Sequence, residues 1–419
     1  MILALILFHI LFFYTLYTKP FYMATSELLS TFFPYWLKGG KRDSYWLNPH
    51  AHPVLSSYYP LNAVSILCRK FFRLDTSFKI YLYQSLMHYL FASVGWYLFL
   101  QGHFSPMVSL FGAITLTYQA YHLKQQHCII YTLAWFPWIL NSNSVISSVA
   151  VGMTLLAGYY PLAAYLLPFG FFLNPDWVAF AIGLVIGLPQ VIPFLKYLPK
   201  TIRGKVEAPS DSPTEKRFYF GVIPIILLLL NPQWRFLWIL APMALMLLPK
   251  SSMFRVPQRV MIISVYIAIW FALQALQSEY QMESYTLMAL LVIQCLDLWL
   301  HNRKLLPPSP WCELWQRPSR AFNTKLTRFL EANLGNYKVA GLPFPLFTGH
   351  VNNLRTIGYC GSMQNKLMWK WRKSFRHDPF IDGVKDDDLS RFRVKYAFSR
   401  KKPNWPGTGV KYLYRNPAI

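Results

Sequence analysis

Residues 80–175 form a run of 96 positions with a single formal charge, Lys124. In a typical soluble domain about one residue in four is charged, so a stretch this long has to be solvated by something other than water. A lipid bilayer accounts for it, because an ionised side chain at the bilayer centre costs about 2.5–3.5 kcal/mol or more. The chain therefore reads as a polytopic membrane protein. Its composition agrees, with 54% hydrophobic, 18% aromatic and 14% charged residues among 419. That balance excludes a disordered chain, a disulfide-rich secreted module and an ordinary cytosolic enzyme.

An apolar segment over residues 1–17 opens the chain, interrupted only by His9. It has no basic leader and no small-residue cleavage site, so it is expected to remain as a first helix. Further apolar segments run at about 78–100, 104–121, 128–140, 145–158, 161–173, 177–195, 218–230, 234–248, 257–276 and 284–301. They predict an all-α membrane domain of about 9 to 12 spans. Several are shorter than the ~20 residues a straight span needs. Pro137, Pro161, Pro175, Pro193, Pro224, Pro232 and Pro242 break or bound them. Short, broken helices at membrane depth are tolerated where they are buried in protein or line a cavity, so the pattern predicts a domain that encloses a site.

Two regions depart from this composition. Residues 18–77 form a large polar and aromatic first loop, in which 59–72 could fold as a short amphipathic helix with Arg69, Lys70 and Arg73 at the interface. Residues 303–419 hold 22 Lys and Arg against 7 Asp and Glu, a surplus of +15 within the chain's +24. The expected organisation is a membrane domain over 1–302 and a small, polar, basic C-terminal domain over 303–419. Every large loop is basic, so the positive-inside rule does not orient the chain. The five cysteines contain no Cys-x-x-Cys pair, and zinc is unsupported.

Few residues could carry chemistry, since only ten carboxylates precede Arg303. Glu27 lies in TSELLSTFFPYW, where apolar neighbours would raise its pKa toward that of a general base. The same residue also reads as part of a helix N-cap after Thr25 or Ser26. His50 and His52 stand two apart, a spacing that puts both on one face of an extended segment, but no second ligand cluster accompanies them and no metal is expected. Arg255 and Arg259 are four apart and share a face if helical. Their guanidinium forks suit a phosphate, and equally a lipid headgroup. Asp297, near the end of the last apolar segment, reads as an interfacial residue.

The run SELLSTFFPYW followed by WLNPHAHPVLSSYYPLNAV resembles the first outer loop of the YfhO-like bacterial membrane proteins, within the class of polytopic GT-C type glycosyltransferases. Further segments are similar in the same order: GAITLTYQAYHLKQQHCIIYTLAWFPWIL, LLAGYYPLAAYLL, IGLPQVIPFLKYLPKTIR, FYFGVIPIILLLL and FRVPQRVMII. Together they cover most of residues 20–275. Glu27 stands where the family usually has Asp, one methylene longer, and the loop between Arg203 and Phe218 is shorter than the family's.

The resemblance implies a GT-C-like fold and a multi-pass protein of the bacterial inner membrane. It implies an inverting transferase that moves a sugar from a polyprenyl-phosphate donor to an envelope glycan or lipid acceptor, with no other cofactor. Glu27 would be the general base, Arg255 and Arg259 would hold the lipid phosphate, and Asn48, His50 and Tyr59 would line the sugar pocket. It also implies an outward-facing first loop and an extracytoplasmic C-terminal domain, which leaves nucleic acid out as a partner despite the charge. Two other readings stand beside it. One is an envelope-lipid transporter or flippase, which would also need a cavity and phosphate-binding arginines. The other is a non-catalytic envelope assembly protein acting through its basic domain.

Overall fold

A computed structural model of the chain describes residues 1–19, 33–37, 59–119, 127–197, 219–230, 239, 242, 260–278, 284–303, 325–335, 338–340, 394–399 and 411–414. These residues are predominantly helical. In chain order the helices are α1 (Ile2–Phe12), α2 (Tyr14–Thr18), α3 (Phe33–Leu37), α4 (Ala63–Phe71), α5 (Leu74–Gln101), α6 (Pro106–Thr117) and α7 (His127–Ile139). They continue with α8 (Ser144–Leu156), α9 (Tyr160–Leu173), α10 (Trp177–Tyr197), α11 (Val222–Leu230), α12 (Met261–Ser278), α13 (Ser284–Arg303) and α14 (Lys325–Leu334). One of them, over Trp177–Lys196, is long and apolar enough to cross a membrane. Others are apolar but shorter, among them Ile2–Phe12, Pro106–Thr117, Ser144–Leu156 and Tyr160–Leu173.

The described chain divides into two compact units that alternate along the sequence. The first comprises Met1–Met23, Leu82–Ile192 and Glu207–Pro308, and the second comprises Ala24–Tyr81, Pro193–Val206 and Ser309–Ile419.

In the first unit the core is largely apolar, with Trp96, Leu100, Phe111, Phe136 and Ile269 buried, and two of its helices also turn small or polar side chains inward. Along α10 the buried stripe is Ala179, Gly183, Gly187 and Gln190, while Val178, Ile182, Val185 and Leu188 are exposed. Along α13 the buried positions are Leu291, Gln294, Leu298 and Asn302, and Val292, Ile293, Leu296 and Leu300 point out. Small residues allow the helices to approach closely. A Cβ on Gly183 would lie 2.4 Å from Val151 Cβ and 2.7 Å from the Ser148 carbonyl oxygen. A Cβ on Gly187 would lie 2.7 Å from Leu155 Cβ. The Gly183-x-x-x-Gly187 face of α10 thus seats the branched side chains of α8.

The α7–α8 turn is closed by asparagines. Asn143 caps α8, its Oδ1 accepting from the amides of Val145 (3.0 Å) and Ile146 (3.3 Å), and Asn141 Oδ1 accepts from the Asn143 amide at 2.9 Å. Asn174, just past α9, donates to the Ile139 and Asn141 carbonyls, both at 3.0 Å. Ser147 also donates to Ile139 O, at 2.9 Å. At the start of α10, Asp176 accepts from the Ala179 amide at 2.9 Å. That bond, together with the Ser144 hydroxyl, holds the Asp176 carboxyl below its ordinary range.

In the second unit, Phe33 and Trp36 of α3 pack on Tyr81 with ring centroids 5.6 and 5.3 Å apart, and Phe33 meets Phe78 edge-on at 5.2 Å. The expected amphipathic segment is present as a 3₁₀ turn (Pro60–Asn62) leading into α4. The basic C-terminal region is not all helical. It carries a parallel sheet in the order β1 (Lys338–Ala340), β2 (Val394–Ser399), β3 (Lys411–Tyr414). The period-two signal lies in VKYAFS, where Val394, Tyr396 and Phe398 alternate with Lys395, Ala397 and Ser399. α14 ends at Gly335, whose φ of 56° is the left-handed conformation of a helix C-terminal stop, and Phe329 meets Tyr396 edge-on at 5.7 Å.

Two outcomes follow. Gly183→Ala puts a methyl where Val151 and the Ser148 carbonyl already are. It is expected to destabilise the first unit by about 1–3 kcal/mol, read as a lowered unfolding midpoint of the detergent-solubilised protein. Asp176 titrates below its unfolded value of about 3.9. Its stabilising contribution is therefore complete above that pH and is lost as the pH falls through the folded value. A pH series of unfolding midpoints should show this acid-side loss in the wild type and a smaller one in Asp176→Asn.

Candidate functional site

The first unit encloses a cavity of about 870 Å³, within the ~300–1,000 Å³ span of small-molecule sites. Its wall is built by five helices: Trp96, Phe99 and Leu100 of α5, Leu116 of α6, Phe136 of α7, Tyr165 and Phe169 of α9, and Ile263 through Leu273 of α12. These positions recur at helical spacing because the helices run alongside the space, and the α12 wall alone extends about 15 Å at 1.5 Å per residue. The rings brace one another. Tyr266 stacks on Phe136 at 5.4 Å and takes Trp96 edge-on at 5.1 Å, and Phe136 stacks on Phe169 at 6.0 Å.

His103, in the turn between α5 and α6, and Phe172, near the end of α9, line the same cavity and are exposed, so they mark its opening. Ser105 of that turn donates its amide to Gln277 Oε1 at 2.7 Å, tying the turn to the end of α12. The lining contains no Asp, Glu, Lys or Arg among the described residues. Such a wall removes an uncharged hydrocarbon from water at a gain of about 25 cal/mol per Å² buried and offers an ion no compensation.

A polar ladder stands beside the buried Leu116 wall. Thr115 accepts from Gln294 Nε2 at 3.2 Å, and the same amide nitrogen donates to the Phe220 carbonyl at 2.9 Å. Asp297 accepts the Tyr219 hydroxyl at 2.6 Å and the Val222 amide at 2.8 Å, capping α11 from a neighbouring helix. His301 stacks on Tyr219 at 3.9 Å. Asn302 Nδ2 donates to the Tyr118 carbonyl at 2.9 Å, and the Tyr118 hydroxyl meets His9 Nδ1 at 2.9 Å. His9 Nε2 meets the Tyr17 hydroxyl at 2.8 Å. α13 thus fastens α1, α6 and α11 through Gln294, Asp297 and Asn302. Asp297 is a structural fastening here, where the sequence suggested only an interfacial position. The signal for this ladder was the i, i+3, i+8 spacing of these three residues, uncommon in an otherwise apolar helix.

Of the site residues that the resemblance implies, Tyr59 is described. It is 1% exposed, in extended backbone (φ −68°, ψ 120°) before the 3₁₀ turn. Glu27, Asn48, His50, Arg255 and Arg259 lie outside the described residues, as do His52 and Lys124. Sequence reasoning did not find the cavity residues, because ring-rich apolar helices look alike whether they fill space or frame it. Among the described residues no three His, Cys, Asp or Glu side chains converge as a metal site.

Ala164 also lines the cavity, and Ala164→Phe fills part of it. Native mass spectrometry of the purified protein should find a retained hydrocarbon-chain lipid in the wild type and less of it in Ala164→Phe at equal folded yield. Equal retention in both would rule out the cavity as the binding place. No family model, curated protein or solved structure matches this chain.

Proposed function

We propose that the chain is a multi-pass membrane glycosyltransferase of the GT-C type. It would transfer a sugar from a polyprenyl-phosphate donor to an envelope glycan or lipid acceptor at the bacterial inner membrane. The observation that carries this reading is the uncharged, aromatic-walled cavity of about 870 Å³, sized for part of a hydrocarbon carrier. Two further features support it. Helices that turn Gln294, Asn302 and Gln190 inward and Val, Ile and Leu outward are built for a lipid solvent. In sequence, Arg255 and Arg259 immediately precede Val260 and α12, the helix whose residues 263–273 line the cavity. Two guanidinium forks four residues apart suit a phosphate.

In this reading the acceptor hydroxyl gives its proton to the Glu27 carboxylate as its oxygen bonds to the anomeric carbon. The bond from that carbon to the phosphate oxygen breaks, and the electron pair leaves with the polyprenyl phosphate, inverting the anomeric centre. Arg255 and Arg259 balance the charge that develops on the phosphate. Asn48, His50 and Tyr59 orient the sugar.

The test is Glu27→Gln in the native host, which removes the base and keeps the shape. The expected outcome is loss of a sugar from one envelope glycan, with a transfer rate lower by about 10²–10⁴-fold. Glycan mass spectrometry reads the sugar, and immunoblotting reads an unchanged protein level. A glycan that changes on gene deletion but survives Glu27→Gln would move the function to lipid transport or envelope assembly.

A further inference from the structure

The segment over residues 60–73 is turned inside out for contact with water. The stripe Val64, Leu67, Phe71 follows i, i+3, i+7 spacing, so the three share one face of α4. All three are exposed, Leu67 at 54% and Phe71 at 67%, and Ile66 and Phe72 are exposed beside them. The face held against the protein instead carries Ser65 and Cys68, at 0% and 1% exposure. The Ser65 hydroxyl donates to the Asn62 carbonyl, and the buried Ser77 hydroxyl donates to the Cys68 carbonyl at 3.3 Å. A helix packed for water would present the opposite faces.

The charge on this segment has one sign. Arg69, Lys70 and Arg73 are all exposed, and no Asp or Glu occurs from residue 44 to residue 74. The Lys70 ammonium lies 5.4 Å from the Phe71 ring centroid, so a cation and an apolar ring share one patch. A surface of exposed aliphatic and aromatic groups edged by cations is complementary to one environment: lipid chains beneath an anionic headgroup layer. An acidic protein partner would leave unmatched the five outward apolar side chains spread over two faces.

We infer that residues 60–73 form an interfacial foot that sinks Val64, Leu67 and Phe71 among lipid chains and binds anionic headgroups through Arg69, Lys70 and Arg73. The foot is independent of the transferase reading. It stands whatever chemistry Glu27 performs, and it gives the large first loop its own contact with the bilayer surface.

The test uses the full chain, reconstituted in nanodiscs of phosphatidylcholine with or without phosphatidylglycerol. A photo-crosslinking amino acid replaces Phe71, and adducts are identified by mass spectrometry. If the probe at Phe71 lowers the folded yield, Leu67 on the same stripe takes it. Lipid adducts are expected in both membranes. In the mixed one, phosphatidylglycerol should be enriched among them by up to about fivefold per cation over its bulk share. The variant Arg69→Gln/Lys70→Gln/Arg73→Gln should bring that share back to bulk while keeping lipid adducts, and high salt should do the same to the wild type. Adducts to protein alone would overturn the foot and make the patch a protein interface. Lipid adducts without phosphatidylglycerol enrichment in the wild type would overturn the headgroup assignment.

Discussion

Long-range side-chain hydrogen bonds, the most buried of them His9–Tyr118, Gln294–Thr115 and Asn302–Tyr118, set the terms for the first unit. Tyr17, His9 and Tyr118 bond one another across α1, α2 and the end of α6, and Gln294, Asp297 and Asn302 extend that bonding from α13. A buried polar group left unmet costs about 1–3 kcal/mol. The helices therefore have to meet with these side chains in register. That register fixes which faces are left over, and the leftover faces are the apolar ones. The pairings of Gln294, Asp297, Asn302 and Tyr118 thus help to hold α1, α6, α11 and α13 in register, with the aromatic walls beside Leu116.

Close packing of small residues is the second device, and it acts where the ladder does not reach. α8 and α10 approach until Val151 and Leu155 lie where side chains on Gly183 and Gly187 would be. α5 and α7 do the same around Gly95, where Trp138 Nε1 lies 3.3 Å from the Phe91 carbonyl and the two rings stack at 4.7 Å. These contacts gain dispersion energy from close fit.

Much of the helical layout was legible in the sequence. The apolar segments at about 104–121, 145–158 and 161–173 reappear as α6, α8 and α9, and their limits fall at residues with a physical reason to stop a helix. Pro106 and Pro161 stand in first turns, where a missing amide costs nothing. Asn143 is a cap. The inward placement of Gln190, Gln294 and Asn302 was less legible, because hydropathy counts a glutamine the same way whether it faces a partner or a solvent. The sheet was hidden by composition: β2 alternates correctly, but its charged flanks read as a solvated tail. The candidate site was legible only as motif. Glu27, His50 and the Arg255–Arg259 pair owed their interest to residue type and order, whereas the cavity depends on which rings from five helices face one another, and that is a property of packing.

The asparagine-closed turn between α7 and α8 bears on how deep this hairpin can reach. Each helix has 13 residues and rises about 20 Å, less than the ~30 Å hydrocarbon thickness of a bilayer. A turn without side-chain partners would leave its amides and carbonyls to be met by the surroundings. Here Asn141, Asn143, Ser147 and Asn174 answer the Val145 and Ile146 amides and the Ile139 and Asn141 carbonyls from within. A corner that brings its own partners holds its shape without borrowing hydrogen bonds from its surroundings, so the hairpin's closure is set by its own sequence.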